Sequence, residues 1–389
     1  MLFEQTTLGD VSKGGKGNYG IAASAVDYSD ELYTYLRITD IKDDGTIDFG
    51  GLKSVNDGKA ANYLLQPNDI VFARTGASTG RNYFYDGSDG QFVYAGFLIK
   101  FSIDPDKVNP KYVKYYCLSQ EYKGWIASYN TGSTRGNINA QTLAQMPLLL
   151  PERMQQDKMV DILSSIDRKI KKNEKINKNL LEQATALYKY RFIELQPFNG
   201  TMPDDWHLGT VSEIIELHDS KRIPLSSRER ADLAKIYPYY GATSVMDYVD
   251  RYLFDGIYLL LGEDGTVVDS KGFPILQYVE GKFWVNNHAH IITGRNGFSV
   301  ELLYLLFSLT SVQSIVTGAV QPKISQANLN KVPIIIPSEA ELKAFDATIQ
   351  PIFTQIRNLR AENDRLATTR DTLLPKLLSG ELDVSNIDL

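Results

Sequence analysis

Two glycine-punctuated polar stretches in the first half of the chain carry side chains that suit nucleic acid. ARTGASTGRN begins at Ala73, directly after a strand-like apolar run, and YNTGSTRGNIN begins at Tyr129. Backbone amides and short hydroxyls bind phosphate, and arginine can donate two hydrogen bonds to the edge of guanine. The candidate DNA contacts in these stretches are Arg74, Thr75, Ser78, Thr79, Arg81, Asn82, Ser133, Thr134, Arg135 and Asn137.

A structural explanation competes with this functional one. Glycine and short polar residues also make ordinary surface turns, and the second stretch could simply cap the strand that follows it. Neither stretch is a nucleotide-binding P-loop, because the order G-x-x-x-x-G-K-[ST] is absent. The residue types alone leave both explanations open.

The second half of the chain offers a different set of polar residues. TGAVQPKISQAN begins at Thr317, and NNHAH begins at Asn286, where the spacing predicts two histidines on one face of a strand. With no cysteine nearby and no clear third ligand, we expect no zinc site, and a base or phosphate contact competes with plain packing. The candidates here are Lys271, His288, His290, Gln321, Lys323 and Ser325.

The overall charge argues against a nucleic-acid partner unless basic residues cluster. The net charge is −6 and the pI is about 5.4, whereas phosphate binding requires a local excess of Lys and Arg. DRKIKKNEKINKN supplies such an excess, and Lys171, Lys172 and Lys175 predict a phosphate-binding stripe on a helix. SKRIPLSSRERADLAK is a second basic stretch. Both are equally explained as solvated surface.

Composition predicts a globular chain of two domains. The 389 residues are 43% hydrophobic and 23% charged, which suits folded domains but exceeds one compact core. The single cysteine, Cys117, excludes an internal disulfide and is interpreted as a small buried hydrophobe. No apolar run is long enough to span a bilayer, and the N-terminus lacks the pattern of a signal peptide. We therefore expect a cytoplasmic protein with no membrane partner.

Motifs of catalysis are missing from the sequence. There is no N-P-P-[FY] tetrapeptide of the kind that holds a flipped base, no Walker motif and no glycine-rich cofactor loop. We predict that the chain is not an enzyme and holds neither a cofactor nor a metal of its own.

The chain contains an internal repeat. TGSTRGNI at Thr131 matches TGAVQPKI at Thr317, and MPLLLP at Met146 matches VPIIIP at Val332. TLGDVS likewise matches HLGTVS, and DIVFARTG matches GIYLLLGEDG, with different spacings between the matched segments. This pattern indicates a tandem duplication with insertions and deletions in its globular parts.

A heptad pattern ends each copy of the repeat. Such an apolar stripe is best buried against another of its kind, so we predict that the two helices form an intramolecular antiparallel coiled coil. Asn177 and Asn363, both at seam positions, are predicted to fix its register. Pro351 predicts a kink or a late start in the second helix, and Gly380 predicts its end. The other seam positions are Met159, Leu163, Ile166, Ile170, Asn173, Leu180, Ala184, Leu187 and Arg191, and Phe345, Ile349, Ile352, Ile356, Leu359, Leu366, Arg370, Leu373 and Leu377.

The predicted fold class is α+β. Two β-rich α/β domains, at 1–151 and 197–337, alternate with two long helices, at 152–196 and 338–389. If the helices lie side by side in opposite directions, the two domains are related by an approximate two-fold axis and held a set distance apart.

The whole chain resembles the specificity subunit of type I restriction–modification systems. The resemblance depends on DIVFARTGASTGR with LLGEDGTVV, on GSTRGNINAQTLAQMPLLLPE with QPKISQANLNKVPIIIPSE, and on the closing LLPKLLSGEL. Individually these motifs are moderately specific, but their order, repeated twice, is highly specific.

The resemblance implies a function in DNA recognition. In that family each globular half is a target recognition domain that binds one part of a split double-stranded DNA site. The helices set the spacer and hold two modification subunits, which methylate adenine, and restriction subunits join the larger assembly. S-adenosylmethionine, ATP and Mg²⁺ would then belong to the partners. Two alternatives stay open: a coiled-coil adaptor that joins two ligand-binding domains without DNA, and, more weakly, an enzyme with its site in ARTGASTGR.

Overall fold

The structure, a computed structural model, describes residues 2–129, 137–318 and 320–385. It divides into two compact units. Unit 1 comprises Met1–Ile170 and Asp364–Leu389, and unit 2 comprises Lys171–Asn363. Both boundaries fall inside long helices, so each unit contains one β-rich body together with a segment of each long helix.

Unit 1 is built from short strands and three short helices before the first long helix. The helices are α1 (Pro110–Tyr116), α2 (Gln120–Ser128), α3 (Ala140–Ala144) and the long α4 (Arg153–Tyr188), which continues into unit 2. The strands are β1 (Glu4–Thr7), β2 (Asn18–Tyr19), β3 (Ala25–Val26), β4 (Tyr33–Leu36), β5 (Lys53–Val55), β6 (Asp69–Ala73), β7 (Asn82–Tyr85), β8 (Phe92–Tyr94), β9 (Leu98–Ser102) and β10 (Pro147–Leu150).

The strands of unit 1 form two four-stranded sheets and one pair. The strand orders are β2-β9-β6-β7, β3-β5-β4-β8 and β1-β10, and β4 with β8 is a parallel pair. Strand β6 is buried throughout because DIVFA lies between β7 and β9, with Phe72 paired to Ile99. One face of this strand packs with α1 in the main core, where Tyr112 and Cys117 are buried. The predicted burial of Cys117 is confirmed.

Unit 2 contains longer strands. They are β11 (His207–Thr210), β12 (Ile215–Leu217), β13 (Tyr237–Tyr240), β14 (Val245–Val249), β15 (Phe254–Gly262), β16 (Leu276–Val285), β17 (Ala289–Gly294) and β18 (Pro333–Ile336). The helices are α5 (Val211–Ile214), α6 (Ser227–Ala231), α7 (Val300–Ser308), α8 (Gln326–Leu329) and the long α9 (Glu339–Ser379), which continues into unit 1.

A six-stranded sheet organises unit 2. Its order is β12-β17-β15-β16-β13-β14, and β13 with β16 is its parallel pair. Strands β15 and β17 are neighbours in the interior of this sheet, and Leu259, Leu261 and Ile292 on them are fully buried with residues of α7 and α9. The strands here read as continuous apolar runs because both of their faces are covered.

The internal repeat is confirmed by strand pairing. In unit 1, β1 pairs antiparallel with β10 and places Thr7 opposite Pro147. In unit 2, β11 pairs antiparallel with β18 and places Thr210 opposite Pro333. Each pair brings the start of one copy beside the strand that leads into its long helix. The two copies therefore share one plan.

In unit 1, α4 and the C-terminal part of α9 run antiparallel. Gln155 Nε2 donates to Ser385 Oγ at 2.7 Å, near the start of α4 and just past the end of α9. Further along, Arg370 Nη1 lies 3.2 Å from Asp167 Oδ1. Residue numbers rise along one helix and fall along the other, as the predicted pairing requires.

In unit 2 the same antiparallel arrangement is present, with one change to the predicted register contact. Asn173 is fully buried, and its Nδ2 donates to Asn363 Oδ1 at 2.9 Å. Arg191 forms an ion pair with Glu341 at the other end. Asn177, predicted as the partner position, has a buried Oδ1 with no hydrogen bond among the described residues. Asn363 is therefore contacted by Asn173, which lies one seam position before Asn177 on α4.

The predicted seam is otherwise buried or half-buried, except at Leu187. That side chain is 40% exposed, whereas Tyr188 and Phe192 are each 5% exposed. The helix changes to a π-helical turn at Lys189–Ile193. The buried face therefore moves by one residue just before this turn.

The predicted late start of the second long helix is wrong. Helix α9 begins at Glu339 and passes through Pro351 without interruption. Buried Ile349 and Phe353 anchor the helix on both sides of the proline, and this packing offsets the cost of about 3 kcal/mol for an interior proline. Gly380 is confirmed as the stop, because it follows α9 with a φ of 77°.

Candidate nucleic-acid interface

In unit 1 the two predicted polar stretches meet at the end of β6. Thr75 and Asn137 form a β-bridge, and the Ile138 N–H donates to the Arg74 carbonyl at 2.9 Å. The Arg74 N–H donates in turn to the carbonyl of Phe97 at 3.0 Å. Three chain segments thus converge at one point, which we call junction 1 (Arg74–Thr75, Phe97 and Asn137–Ile138). Ser133, Thr134 and Arg135 lie outside the described residues.

Arg74 is the cationic side chain of junction 1. Its guanidinium carbon lies 5.1 Å from the centroid of the Tyr19 ring, and its Nε is buried without a hydrogen-bond partner among the described residues. The aromatic face attracts the cation but offers it no acceptor.

The remaining candidates of the first stretch divide by burial. Arg81 is half-buried and pairs with Asp43 at 2.7 Å, and Thr79 Oγ1 donates to the Gly76 carbonyl at 2.7 Å. The structure corrects two candidates. Ser78 is 9% exposed and Asn82 is 5% exposed, and Asn82 Nδ2 donates to the Cys117 carbonyl at 2.9 Å. Asn82 serves the fold, because a buried amide must be satisfied internally.

In unit 2 an equivalent junction is formed at the end of β15. The Ile324 N–H donates to the Glu263 carbonyl at 2.8 Å, and the Glu263 N–H donates to the His288 carbonyl at 2.8 Å. Asp264 and Lys323 form the β-bridge. These are the hydrogen bonds of junction 1, with Glu263 in the place of Arg74. We call this arrangement junction 2 (Glu263–Asp264, His288 and Lys323–Ile324).

The charge of junction 2 is neutralised internally. Lys323 Nζ lies 3.1 Å from Glu263 Oε1, and Arg222 Nη1 lies 2.6 Å from Glu263 Oε2. Burial opposes ionisation of Glu263, but the hydrogen bonds from Arg222 and Lys323 and the charge of His290 outweigh it and lower the pKa of this carboxyl. Lys323, although still half-exposed at 48%, is held against a carboxylate.

One of the unit 2 candidates, Ser325, has a structural role, and two, Gln321 and Lys271, lie on the surface. Ser325 is the N-cap of α8, and its Oγ accepts from the Asn328 N–H at 3.2 Å. Gln321 is exposed in the segment that precedes it. Lys271 is exposed in the loop between β15 and β16, outside junction 2.

The two histidines do not share one face of a strand as predicted. His288 lies in the turn before β17, and its Nδ1 contacts Asp264 Oδ1. His290 lies inside β17 and is fully buried, so its side chain offers no surface to DNA. It contacts Asp219 and the carbonyl of Ile324 instead. The strand begins one residue later than the pattern predicted, which separates the pair.

Asp219 and Glu263 were not among the residues predicted from the sequence. Their carboxylate oxygens and a ring nitrogen of His290 lie within 4.8 Å of one another, a spacing that a metal ion could use. However, both ring nitrogens already face protein oxygens, and Glu263 is paired with two cations. Protein groups thus take the place of an ion here. Only the repeat alignment, which set GEDG against ARTG, pointed to this position.

The lysine stripe lies on α4. Lys171, Lys172 and Lys175 are all exposed on the helix surface. Their positions agree with either a phosphate-binding or a solvated surface, and nothing in the geometry separates the two. Among the described residues, none of the helices combines the length and apolarity that a membrane span requires.

Comparison with known proteins identifies the family. The family model described as type I restriction modification DNA specificity domain matches twice, at 2–182 and 203–367. The chain is 24% identical over 311 residues to the type I restriction enzyme MjaIX specificity subunit of Methanocaldococcus jannaschii, covering 73% of this chain and 72% of that protein. It is 21% identical over 405 residues to the HindI specificity subunit of Haemophilus influenzae, covering 83% and 88%.

A solved structure has a similar fold. The crystal structure of the type I restriction-modification system S subunit from M. genitalium aligns over 96% of each chain, with a TM-score of 0.50 and 17% identity. The double match of the family model follows the two copies of the repeat described above. The chain therefore belongs to the type I restriction–modification DNA specificity domain family and is a specificity subunit.

Proposed function

We propose that each unit of this specificity subunit binds one part of a split double-stranded DNA target. The observation that carries the proposal is the pair of junctions: the same backbone hydrogen bonds join the same three segments, while the side chains at equivalent positions differ in charge. A duplicated scaffold with diverged side chains suits two different short sequences. The chain itself supplies no chemistry.

Arg74 is the first contact we assign. Its guanidinium lacks an acidic partner at junction 1 among the described residues and lies against Tyr19, which orients it. Arginine in this state can bind a phosphate or the O6 and N7 atoms of guanine.

The long helices are the spacer between the two parts of the target. Their seam, which each unit buries as an antiparallel pair, resists changes in length because an α-helix has a fixed rise of about 1.5 Å per residue. Two modification subunits are proposed to bind these helices and to carry the methylation of adenine. Restriction subunits would complete the assembly, with S-adenosylmethionine, ATP and Mg²⁺ acting in the partner subunits.

The test measures the preferred spacer. The target would be identified from the methylated positions in DNA of cells that carry the system. Insertion of seven residues in both α4 and α9 preserves the heptad and lengthens each helix by about 10 Å, which corresponds to about three base pairs. In gel shifts with purified modification subunit present, we expect the variant to prefer the longer spacer. Insertion in one helix alone is the control, and it should weaken binding at every spacer length.

Two arginine variants test the reading surface in the same assay. Arg74→Ala should weaken binding through one part of the target by about 1–3 kcal/mol. Arg81→Ala is the matched control from the same loop, with a smaller expected effect because Asp43 already pairs with that guanidinium. Unchanged spacer preference after the double insertion would favour the adaptor alternative, which predicts no dependence on spacing.

A further inference from the structure

A small cavity opens at the surface of unit 2 between the long helices and the sheet. Its volume is about 260 Å³. Phe353 and Ile356 of α9 are buried in its lining, and Leu181 of α4, Tyr278 of β16 and Tyr304 of α7 are half-buried around it. We call this cavity the aromatic pocket. Every residue that lines it belongs to unit 2.

The size of the aromatic pocket suits one large side chain. Sites for cofactors and drug-sized ligands usually enclose about 300–1,000 Å³, which is more than is available here. Protein interfaces, in contrast, often depend on a few aromatic anchors that fill desolvated pockets of the partner. A lining of buried apolar and half-buried aromatic residues is the surface that such an anchor needs. A side chain of a partner protein is therefore the occupant that fits.

One polar group of the aromatic pocket lacks a partner. Asn177 of α4 lines the pocket, and its Oδ1 is buried without a hydrogen bond to any other described residue. A buried acceptor that stays unsatisfied is unfavourable. Tryptophan joins a large apolar ring to a single N–H donor. An indole in the pocket can therefore satisfy Asn177 and cover the aromatic residues at the same time.

The rim of the aromatic pocket is cationic. Lys178 is exposed, and its Nζ lies 3.9 Å from Glu182 Oε1, a loose contact at the surface. Arg360 is also exposed, and its guanidinium carbon lies 5.8 Å from the centroid of the Tyr278 ring. Asp and Glu are absent from the part of the lining that the structure describes. Two weakly paired cations favour acidic residues on both sides of the anchor.

Unit 1 has an ion pair in the equivalent place. Asp167 of α4 corresponds to Phe353 of α9, because each directly follows a matched seam position. Lys114 of α1 corresponds to Tyr304 of α7, because each is the fifth residue after the N-cap of its helix. Lys114 Nζ lies 2.8 Å from Asp167 Oδ2. A paired lysine and aspartate offer a partner no apolar surface, so the aromatic pocket distinguishes unit 2 from unit 1.

We propose that the aromatic pocket is a docking site for a tryptophan that the modification subunit carries between acidic residues. This proposal rests on the proposed function, which assigns modification subunits to α4 and α9. The indole fills the apolar space and donates to Asn177 Oδ1, and the acidic neighbours pair with Lys178 and Arg360. Because unit 1 has an ion pair at the equivalent position, the modification subunit at unit 2 binds more tightly than the one at unit 1.

The first experiment uses the chain without a partner and therefore does not depend on the proposed function. The acidic peptide is a capped tripeptide with tryptophan between two aspartates. The basic peptide has lysines in place of the aspartates, and the alanine peptide has alanine in place of tryptophan. In methyl NMR spectra, the acidic peptide at millimolar concentration should shift the signals of Leu181 and Ile356. The alanine peptide should leave them in place, and the basic peptide should bind about fivefold more weakly.

An absence of shifts at Leu181 and Ile356 with the acidic peptide would overturn the proposal. Equal shifts with the alanine peptide would overturn it as well, because the indole would then contribute nothing. Buried Ile70 of unit 1 is the internal reference, and its signal should not change with any of the peptides.

The second experiment changes the pocket and its rim. Leu181→Trp should fill the pocket and abolish binding of both tryptophan peptides. Arg360→Glu, at an exposed site that tolerates substitution, should reverse the preference so that the basic peptide binds more tightly than the acidic one. Arg365→Glu is the matched control, because this residue is exposed on α9 and does not line the pocket. Equal effects of the two glutamate variants would show attraction to the whole helix surface and would contradict the proposal.

The third experiment identifies the partner. Titration of the chain with purified modification subunit, followed by native mass spectrometry, gives the dissociation constants of the two binding steps. We expect the tighter step to exceed the weaker one by at least about fivefold beyond the statistical factor for two equal sites. Arg360→Glu should weaken the tighter step alone, and Arg365→Glu should change neither.

Two equal steps in the wild type would overturn the assignment of the pocket to the modification subunit. Displacement of the acidic peptide by the restriction subunit, and not by the modification subunit, would overturn it too. Spacer-independent DNA binding by a complex that gives all the expected pocket results would instead refute the proposed function.

Discussion

Junctions 1 and 2 have the same backbone and opposite chemistry. Arg74 in the first junction occupies the place of Glu263 in the second, and buried Ile99 occupies the place of His290. Backbone hydrogen bonds do not depend on side-chain identity, so duplication could preserve the scaffold while the residues at its surface diverged. Among the described residues, Arg74 of unit 1 has an aromatic neighbour and no carboxylate partner, whereas Glu263 of unit 2 is paired with Arg222 and Lys323.

The two units also differ in how a short helix is fixed to the long helices. In unit 1 the acid is Asp167 on α4, which pairs with Lys114 of α1 at 2.8 Å and with Arg370 of α9. In unit 2 the acid is Glu301 on the short helix α7, which pairs with Arg357 of α9 at 2.9 Å. The acid side chain is 23% exposed in the first case and 5% in the second. Equivalent docking is therefore achieved with the charges reversed and with unequal burial.

The largest expected effect tests that inequality. Glu301→Ala removes the carboxylate partner of the half-buried Arg357, which keeps its hydrogen bond to Tyr278, and should lower the free energy of unfolding by about 3–5 kcal/mol. Asp167→Ala should cost about 1–3 kcal/mol, because Arg370 there keeps its second partner, Asp371. The loss in Glu301→Ala is measured by urea unfolding followed by tryptophan fluorescence. The Trp125→Phe background leaves only the tryptophans of unit 2. Equal losses of unfolding free energy in the two variants would show that the difference in burial does not distinguish the ion pairs of Asp167 and Glu301.

A second prediction compares two glycines that each directly follow a strand, Gly20 after β2 and Gly241 after β13. A Cβ at Gly20 would meet the backbone carbonyl of Ala95, whereas a Cβ at Gly241 would meet the exposed, flexible side chain of Met246. Gly20→Ala should therefore destabilise the chain by about 1–3 kcal/mol, and Gly241→Ala by less than about 1 kcal/mol. Thermal unfolding of both variants checks the difference. A larger loss of stability in Gly241→Ala than in Gly20→Ala would mean that the backbone next to β2 shifts more easily than the structure implies.

The smallest expected effect concerns acid pH. Burial opposes ionisation of Asp167, but Lys114, Tyr115 and Arg370 outweigh it, so the pKa of this carboxyl lies below its usual value. A lowered pKa contributes stability above the unfolded value, near pH 4, and this contribution is lost as pH falls through the folded value. Asp167→Asn should lower stability at pH 7 by about 1 kcal/mol and flatten the acid side of the stability curve. The urea midpoints of wild type and Asp167→Asn from pH 3 to 7 measure this pH dependence. The same decrease in stability with falling pH in both proteins would contradict the lowered pKa of Asp167.

The helices were predictable because their signal is local. A four-three apolar pattern specifies a buried stripe within one segment, and that stripe is buried in both units. The pattern did not predict the π-helical turn at Lys189–Ile193 or the exposure of Leu187 just before it. Nor did it select Asn173 over Asn177 as the partner of Asn363, since that choice depends on the stagger between two helices.

The candidate site was predictable only in outline. The polar stretches around Arg74 and Lys323 were found, and pairing in the sheets brings each beside its partner segment. Asn82 and His290 were assigned to the surface because polar residues are usually exposed. Their burial depends on partners at distant points in the chain, the carbonyl of Cys117 for Asn82 and the carboxylate of Asp219 for His290.

By itself, the sequence determined the duplication, the two long helices and the membership of a family of DNA specificity subunits, since each is written in local patterns and their order. Tertiary structure alone decided which polar residues face solvent and which are enclosed, and so where Glu263, Asp219 and His290 form one charged cluster. The physical reason is that a buried charge is stable only beside its partners, and strand pairing brings those partners together from far apart in the chain.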